Sequence, residues 1–164
     1  MKKLLFLTAA LLFVGSYSFA QAPASPKKTA EGDGMSVVYS APSKKGRQIF
    51  GGLVPYGEVW RTGANNATEI TFDKDVKFGG KPVKAGTYSL FTIPQEKGDW
   101  TVILNPTLEQ WGAYGYDKIK GADLPHVMAK TAKTNGTVEQ MSIYFEDKNL
   151  VIAWDDTKAM VPVK

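Results

Sequence analysis

Residues 138–154, VEQMSIYFEDKNLVIAW, contain the pattern that decides the fold class. In Val138–Phe145 the side chains alternate between two faces, and Leu150–Trp154 is a second run of apolar and β-branched residues. The polar residues Glu146–Asn149 lie between the two runs and are typical of a turn. The stretch therefore predicts a β-hairpin.

Similar short runs occupy the rest of the chain from residue 35 onward. They are bounded by glycine, proline and polar residues, and they recur roughly every 8–12 residues. Residues 126–134 fit either a strand or a short helix. The pattern predicts one all-β domain over residues 35–164, a single antiparallel β-sandwich of about eight or nine short strands with two long loops. Besides the hairpin, the predicted strands are Met35–Ser40, Thr68–Phe72, Val76–Phe78, Thr87–Ile93, Trp100–Leu104 and Ala159–Val163.

The beginning of the chain has the layout of a secretory signal peptide. Met1–Lys3 is basic, Leu4–Val14 is apolar, and small residues precede two possible cleavage positions, after Ala20 and after Ala22. We therefore expect a signal peptide at residues 1–20 and a polar, flexible lead at 21–34. Because the apolar run is short for a transmembrane helix, the mature protein is expected to be periplasmic or secreted, without an integral membrane segment.

The composition excludes several kinds of chemistry. The 164 residues include no cysteine and a single histidine, His126, which excludes disulfides, thiolate sites and multi-histidine metal centres. The formal net charge of +4 is too small to indicate a nucleic-acid partner. The motifs of phosphate-binding loops, dinucleotide-binding folds, zinc proteases and serine hydrolases are missing. We therefore expect no cofactor, no metal and no nucleic-acid partner.

The first long loop, Leu53–Ala67, is a candidate site because polar side chains are concentrated in it. Arg61 suits bidentate binding of a carboxylate or phosphate, Glu58 can orient the guanidinium, and Asn65 offers an amide. We favour a structural interpretation, in which Glu58 and Arg61 form an ion pair that pins the loop and Trp60 fills the core. The ligand-binding interpretation stays open beside it.

The second long loop carries aromatic side chains between glycines, in Gln110–Asp117. Trp111, Tyr114 and Tyr116 are able to form a stacking platform for a sugar ring or an apolar ligand. The alternative is that they fold back as a cap over the sandwich.

Two charged motifs are open to a second interpretation. The basic run Lys44–Arg47 is either a mobile turn or a contact for an anionic envelope polymer. Asp155 and Asp156 are either solvated turn carboxylates or part of a hard-cation site.

Several longer motifs resemble those of an exported bacterial family of unknown function. The resemblance covers nearly the whole chain after the signal and implies an exported, β-rich domain. It brings no established reaction, so no catalytic role is carried over to any residue. The motifs are KGRQIFG at 45–51, LVPYGEVWRTGAN at 53–65, AGTYSLFTIP at 85–94, WTVILN at 100–105 and QWGAY at 110–114.

Three functions are compatible with these observations. The first is non-catalytic binding of a glycan or a small polar or anionic ligand in the bacterial envelope, through the two long loops. The second is a hydrolase-like enzyme in which Glu58 is the general base and Arg61 stabilises an anion. The third is a structural or assembly role, in which these residues only hold the fold.

Overall fold

The computed structural model describes residues 25–164, so the expected signal peptide at 1–20 lies outside the described residues. Within that range the chain is almost entirely extended, and the expected all-β, antiparallel class is confirmed. One helical turn, α1 (Tyr116–Ile119), runs into a short 3-10 segment at Lys120–Ala122. The strands are β1 (Lys27–Gly32), β2 (Met35–Ser40), β3 (Thr68–Phe72), β4 (Val76–Phe78), β5 (Lys81–Val83), β6 (Gly86–Ile93), β7 (Trp100–Asn105), β8 (Val127–Glu146) and β9 (Asn149–Pro162).

Seven of these strands form one curled antiparallel sheet in the order β1-β2-β3-β6-β7-β8-β9, and β4 pairs with β5 in a separate ribbon. Strand β8 is long enough to reach two distant parts of the sheet. Its beginning pairs with β7, with Ala129 opposite Trp100. Further along, Gln140 forms a bridge with Ser43, and β8 contacts β1. The curl encloses the main hydrophobic core.

The lead expected to be flexible over residues 21–34 contains strand β1. Gly32 pairs with Met35, so Asp33 and Gly34 form a two-residue hairpin loop, and Gly34 has a φ of 67°. Asp-Gly is a strong signal for this kind of hairpin. The strand was missed because both faces of β1 are mostly polar and exposed, which hides the alternation of a half-buried strand.

The ambiguous region 126–134 is extended and belongs to β8, while the predicted strand at Ala159–Val163 is the end of β9. The two strands pair along most of their length, with register shifts between Lys133 and Ser142. The turn predicted at Glu146–Asn149 is confirmed.

The irregular segment between β2 and β3, residues 41–67, is anchored by aromatic packing. Phe50 packs edge-on against Trp100 at a centroid distance of 4.7 Å. Trp60 stacks on Trp154, with centroids 6.0 Å apart and planes inclined by 18°. Burial of one such ring system contributes on the order of 4 kcal/mol as an upper bound. The segment is therefore a packed part of the domain, and the expectation that Trp60 fills the core is confirmed.

The described residues contain neither a membrane-spanning helix nor a cluster of metal-binding side chains. None of the helices within residues 25–164 is long and apolar enough to cross a membrane. In the same range, no group of three or more histidine, aspartate or glutamate side chains is placed to hold a metal ion.

Candidate functional site

The two loops predicted to carry the site lie side by side. The backbone N–H of Ala67 donates to the carbonyl of Gln110 at 2.8 Å, and that of Gly112 donates to the carbonyl of Asn65 at 3.0 Å. Asn66 and Trp111 form an isolated antiparallel bridge between these bonds. Residues far apart in sequence therefore meet on one surface.

The backbone next to Arg61 is held in a conformation that its sequence does not favour. Thr62 has a φ of 55°, which is unusual for a β-branched residue, and its side chain is fully buried. Its hydroxyl contacts that of Thr92 at 3.1 Å, and the hydroxyl of Thr68 donates to its carbonyl at 2.7 Å. Such backbone strain persists only where the surroundings enforce it, and it is concentrated at functional sites.

Arg61 lies where two cavities meet, and we call these cavities together the Arg61 cleft. The larger has a volume of about 440 Å³ and is lined by Lys45, Arg47 and Leu53 among others. The smaller, about 280 Å³, is lined by Glu58 and Tyr114. Arg61 and Leu53 belong to the lining of both.

The ion pair expected between Glu58 and Arg61 is not formed. Glu58 is exposed, and no carboxylate within residues 25–164 lies within 4.0 Å of the Arg61 guanidinium. The Nε atom of Arg61 is buried and has no hydrogen-bond partner. A buried donor without a partner costs about 1–3 kcal/mol, so the position of Arg61 is not explained by the fold alone.

The larger cavity of the Arg61 cleft is positively charged. Lys45, Arg47 and Arg61 contribute to it, and none of the described residues that line it is aspartate or glutamate. Arg47 is held in place because its Nε donates to the carbonyl of Lys44 at 3.0 Å and its Nη2 to that of Ser43 at 2.6 Å. The cavity therefore offers three cationic groups to an anion.

A cavity on another side of residues 41–67, of about 400 Å³, has a different electrostatic character. Asp155 and Asp156 line it together with Lys133. Lys133 Nζ contacts Asp156 Oδ2 at 2.6 Å, and Lys44 Nζ contacts Asp155 Oδ1 at 2.6 Å. Bonding to Lys133 is the main cause that holds the pKa of the Asp156 carboxyl below its usual value. Because lysines already pair with both carboxylates, this cavity is less suited to a charged ligand.

The remaining predicted site residues are placed differently from one another. Tyr114 is 84% exposed at the smaller cavity, and Trp111 is 64% exposed beside the cleft, outside the lining of either cavity. Asn65 is exposed, and its amide donates to the Ser40 hydroxyl at 3.4 Å. Arg61, Glu58 and Tyr114 are thus brought together, while Asn65 and Trp111 flank them.

Tyr116 is directed into the fold rather than into the cleft. Its ring packs against Phe91 at 5.2 Å, and its hydroxyl donates to the carboxylate of Asp123. Partial burial raises the pKa of the Tyr116 phenol, and the hydrogen bond to Asp123 adds to the effect. Asp123 also accepts from Asn105 at 2.7 Å and lies 3.3 Å from His126 Nε2, which gives the single histidine a structural partner.

Sequence reasoning did not assign Lys45, Arg47, Leu53 or Trp154 to the site. The basic run at 44–47 was the available signal, since two of its residues, Lys45 and Arg47, line the larger cavity. Nothing in the sequence indicated that Trp154, on β9, reaches the same cavity.

The fold and the cleft together define a class of protein: an all-β domain in which irregular loops on a curled sheet enclose a ligand-sized, basic cavity. The chain belongs to the family described as protein of unknown function DUF2911, which matches residues 22–163. The expectation of a family of unknown function is thereby confirmed, and its cellular location stays a prediction. No curated protein and no solved structure matches the chain.

Proposed function

We propose that the protein is a non-catalytic binding protein whose ligand places an anionic group, a carboxylate or a phosphate, on Arg61. The observation that carries the proposal is the Arg61 guanidinium itself. Arg61 lines both cavities of the cleft, and no carboxylate within residues 25–164 pairs with its guanidinium. A guanidinium presents its donors as a planar fork that matches both oxygens of such a group.

The surroundings of Arg61 support an anion over a neutral ligand. Lys45 and Arg47 line the same cavity and add two positive charges. A partly enclosed cavity lined by one sign of charge concentrates ligands of the opposite sign and increases their association rate. The strained φ of Thr62, directly after Arg61, supports a functional role for this segment without bearing on the charge of the ligand.

The test is calorimetric titration of the domain with inorganic phosphate and citrate at low ionic strength. We expect saturable binding that weakens at least tenfold in Arg61→Gln. The matched control is Lys118→Gln, which removes one positive charge from an exposed helical residue outside the cleft. Equal loss of affinity in both variants would mean that net charge, rather than the cleft, attracts the anion.

A glycan is the second candidate ligand, and the exposure of Tyr114 and Trp111 favours it. Both rings are accessible at the joined loops, and aromatic faces stack on sugar rings. For this candidate, Tyr114→Ala and Trp111→Ala should abolish binding to a glycan panel, while Arg61→Gln should weaken it only for acidic glycans.

The proposed place of action is the periplasm or the extracellular medium of a bacterium. The proposal rests on the signal-peptide layout of residues 1–20 in the sequence. Mass spectrometry of the protein from a periplasmic fraction should show an amino terminus at Gln21 or Pro23. Recovery of the full-length chain from the cytoplasm would contradict export.

A further inference from the structure

The floor of the larger cavity in the Arg61 cleft is apolar. Leu53 and Val54 of the first long loop belong to its lining, as do the largely buried, stacked Trp60 and Trp154. The charged groups are contributed by Lys45, Arg47 and Arg61. A ligand that fills this cavity would therefore contact charge with one part and hydrocarbon with another.

The tryptophans of the floor offer no free hydrogen-bond donor. The indole Nε1 of Trp60 donates to the carbonyl of Gly63 at 3.1 Å. The indole Nε1 of Trp154 donates to the carbonyl of Glu139 at 3.3 Å. Because both N–H groups are already bonded within the protein and the two side chains are almost fully buried, the rings add no hydrogen-bond donor to the cavity.

The backbone around the cavity is also largely occupied by internal bonds. The N–H of Val54 donates to the carbonyl of Ile49 at 2.8 Å, and the carbonyl of Val54 accepts from Gly51 at 2.9 Å. The carbonyl of Ser43 accepts from Arg47 at 2.6 Å. Hydroxyl groups of a sugar would therefore find few free backbone partners here and would depend on the cationic side chains to replace their bonds to water.

We propose that the ligand of the Arg61 cleft is an amphipathic anion, a carboxylate or phosphate carried on an apolar body. This inference rests on the proposed function and adds the chemistry of the part of the ligand that Arg61 does not bind. The anionic group binds Arg61, with Lys45 and Arg47 nearby. The apolar body displaces water chiefly from Leu53, which is 48% exposed, because Val54 and the two rings are already almost fully buried.

The experiment compares three probes by calorimetric titration: octanoate, glucuronate and octylamine. Octanoate combines the negative charge with an apolar body, glucuronate carries the same charge on a polar body, and octylamine reverses the charge on the apolar body. We expect octanoate to bind more than tenfold tighter than glucuronate and octylamine. Arg61→Gln should lower the affinity for octanoate at least tenfold.

A second variant separates the apolar contribution from the charge. Leu53 is 48% exposed, so Leu53→Ser should fold normally. This variant should lower the affinity for octanoate several-fold and leave the affinity for glucuronate unchanged. Glucuronate binding as tightly as octanoate, with both weakened by Arg61→Gln, would overturn this inference and leave the proposed function intact. Octylamine binding as tightly as octanoate would overturn both. No binding of octanoate would overturn this inference, and the proposed function would fall with it only if phosphate and citrate also failed to bind.

Discussion

The backbone N–H of Gly112 donates to the carbonyl of Asn65 across 3.0 Å, which fastens the aromatic loop to the loop that carries Arg61. A Cβ atom at position 112 would lie 2.8 Å from the ring of Tyr114 and 3.4 Å from Nη1 of Arg61. The absence of a side chain therefore allows the two loops to approach this closely. The positions of the guanidinium and of the exposed ring are coupled through that contact.

Gly112→Ala should weaken both the fold and ligand binding. The residue has a φ of 69°, so any side chain adds about 1–2 kcal/mol of strain, and the new methyl group also displaces Tyr114 or Arg61. Gly57→Ala is the matched control, because Gly57 has a φ of 76° and nothing within 4 Å of the added Cβ. Urea denaturation should show a larger loss in the free energy of unfolding for Gly112→Ala than for Gly57→Ala. Only Gly112→Ala should bind octanoate more weakly than the wild type. Equal effects of the two variants would contradict the coupling.

Arg61→Met should leave the melting temperature unchanged or raise it slightly. No ion pair is broken, and the substitution removes a buried donor that has no partner. Lys44→Met is the comparison, because Lys44 and Asp155 form a pair whose side chains are only 23% and 17% exposed. Loss of that pair should cost about 1–3 kcal/mol, or roughly 3–10 °C in differential scanning calorimetry. A fall of similar size in Arg61→Met would make Arg61 a structural residue.

Trp60→Ala should destabilise the domain severely, and Trp111→Ala should not. Trp60 is 9% exposed and packs against Phe50 and Trp154, whereas Trp111 is 64% exposed. Truncation of a buried tryptophan costs about 3–5 kcal/mol through lost burial and the cavity that remains. Urea denaturation monitored by circular dichroism measures the free energy of unfolding of both variants. A comparable decrease in the two variants would show that Trp111 is packed more tightly than its exposure indicates.

Lys133→Gln should raise the pKa of the Asp156 carboxyl. In the folded protein its pKa is lowered from 3.8, mainly by the hydrogen bond from Lys133 and then by that from Thr157. Because the pKa of Asp156 is lower in the folded than in the unfolded chain, its ionised carboxylate stabilises the fold at pH values above the unfolded pKa. This stabilisation is lost as the pH falls through the folded pKa. The difference in stability between wild type and variant should therefore be present at pH 6 and vanish near pH 2.

Carboxyl-detected nuclear magnetic resonance titration measures the pKa of Asp156 directly. Lys130→Gln on the same strand is the control, since Lys130 is exposed and has no acidic partner within residues 25–164. Because the pair of Lys133 and Asp156 is exposed, its contribution to stability should be small and should decrease as salt is added. A pKa of Asp156 that is the same in Lys133→Gln and wild type would contradict the assignment.

The sequence predicted those strands whose signals are local. Gly79 and Gly80, a glycine pair typical of a hairpin turn, join β4 to β5 directly after the predicted strand Val76–Phe78. Asp147 and Lys148 form the predicted turn between β8 and β9, with φ values of 48° and 61°. The pattern failed at β1, where Lys27 and Glu31 leave no apolar face to recognise. The segment is extended because it is hydrogen-bonded to β2 along its length. Such pairing depends on the neighbouring strand, so the sequence of β1 alone does not reveal it.

The candidate site was predictable only in part for a related reason. Arg61 was singled out because its residue type has distinctive chemistry, but its supposed partner Glu58 is exposed and unpaired with it. The positive φ of Thr62 redirects the chain immediately after Arg61, and no sequence rule anticipates that conformation for a threonine. Trp154 reaches the cavity only because the sheet curls, which depends on contacts between distant strands.

The length and position of the final hairpin also govern the order in which the domain can fold. Strand β8 supplies the neighbour for β7, contacts β1 and forms a bridge with Ser43, yet it is synthesised after all of them. A chain released at residue 126 would therefore present an unpaired β7 edge and an uncovered core, a combination that favours aggregation. Completion of the fold must await the last quarter of the chain.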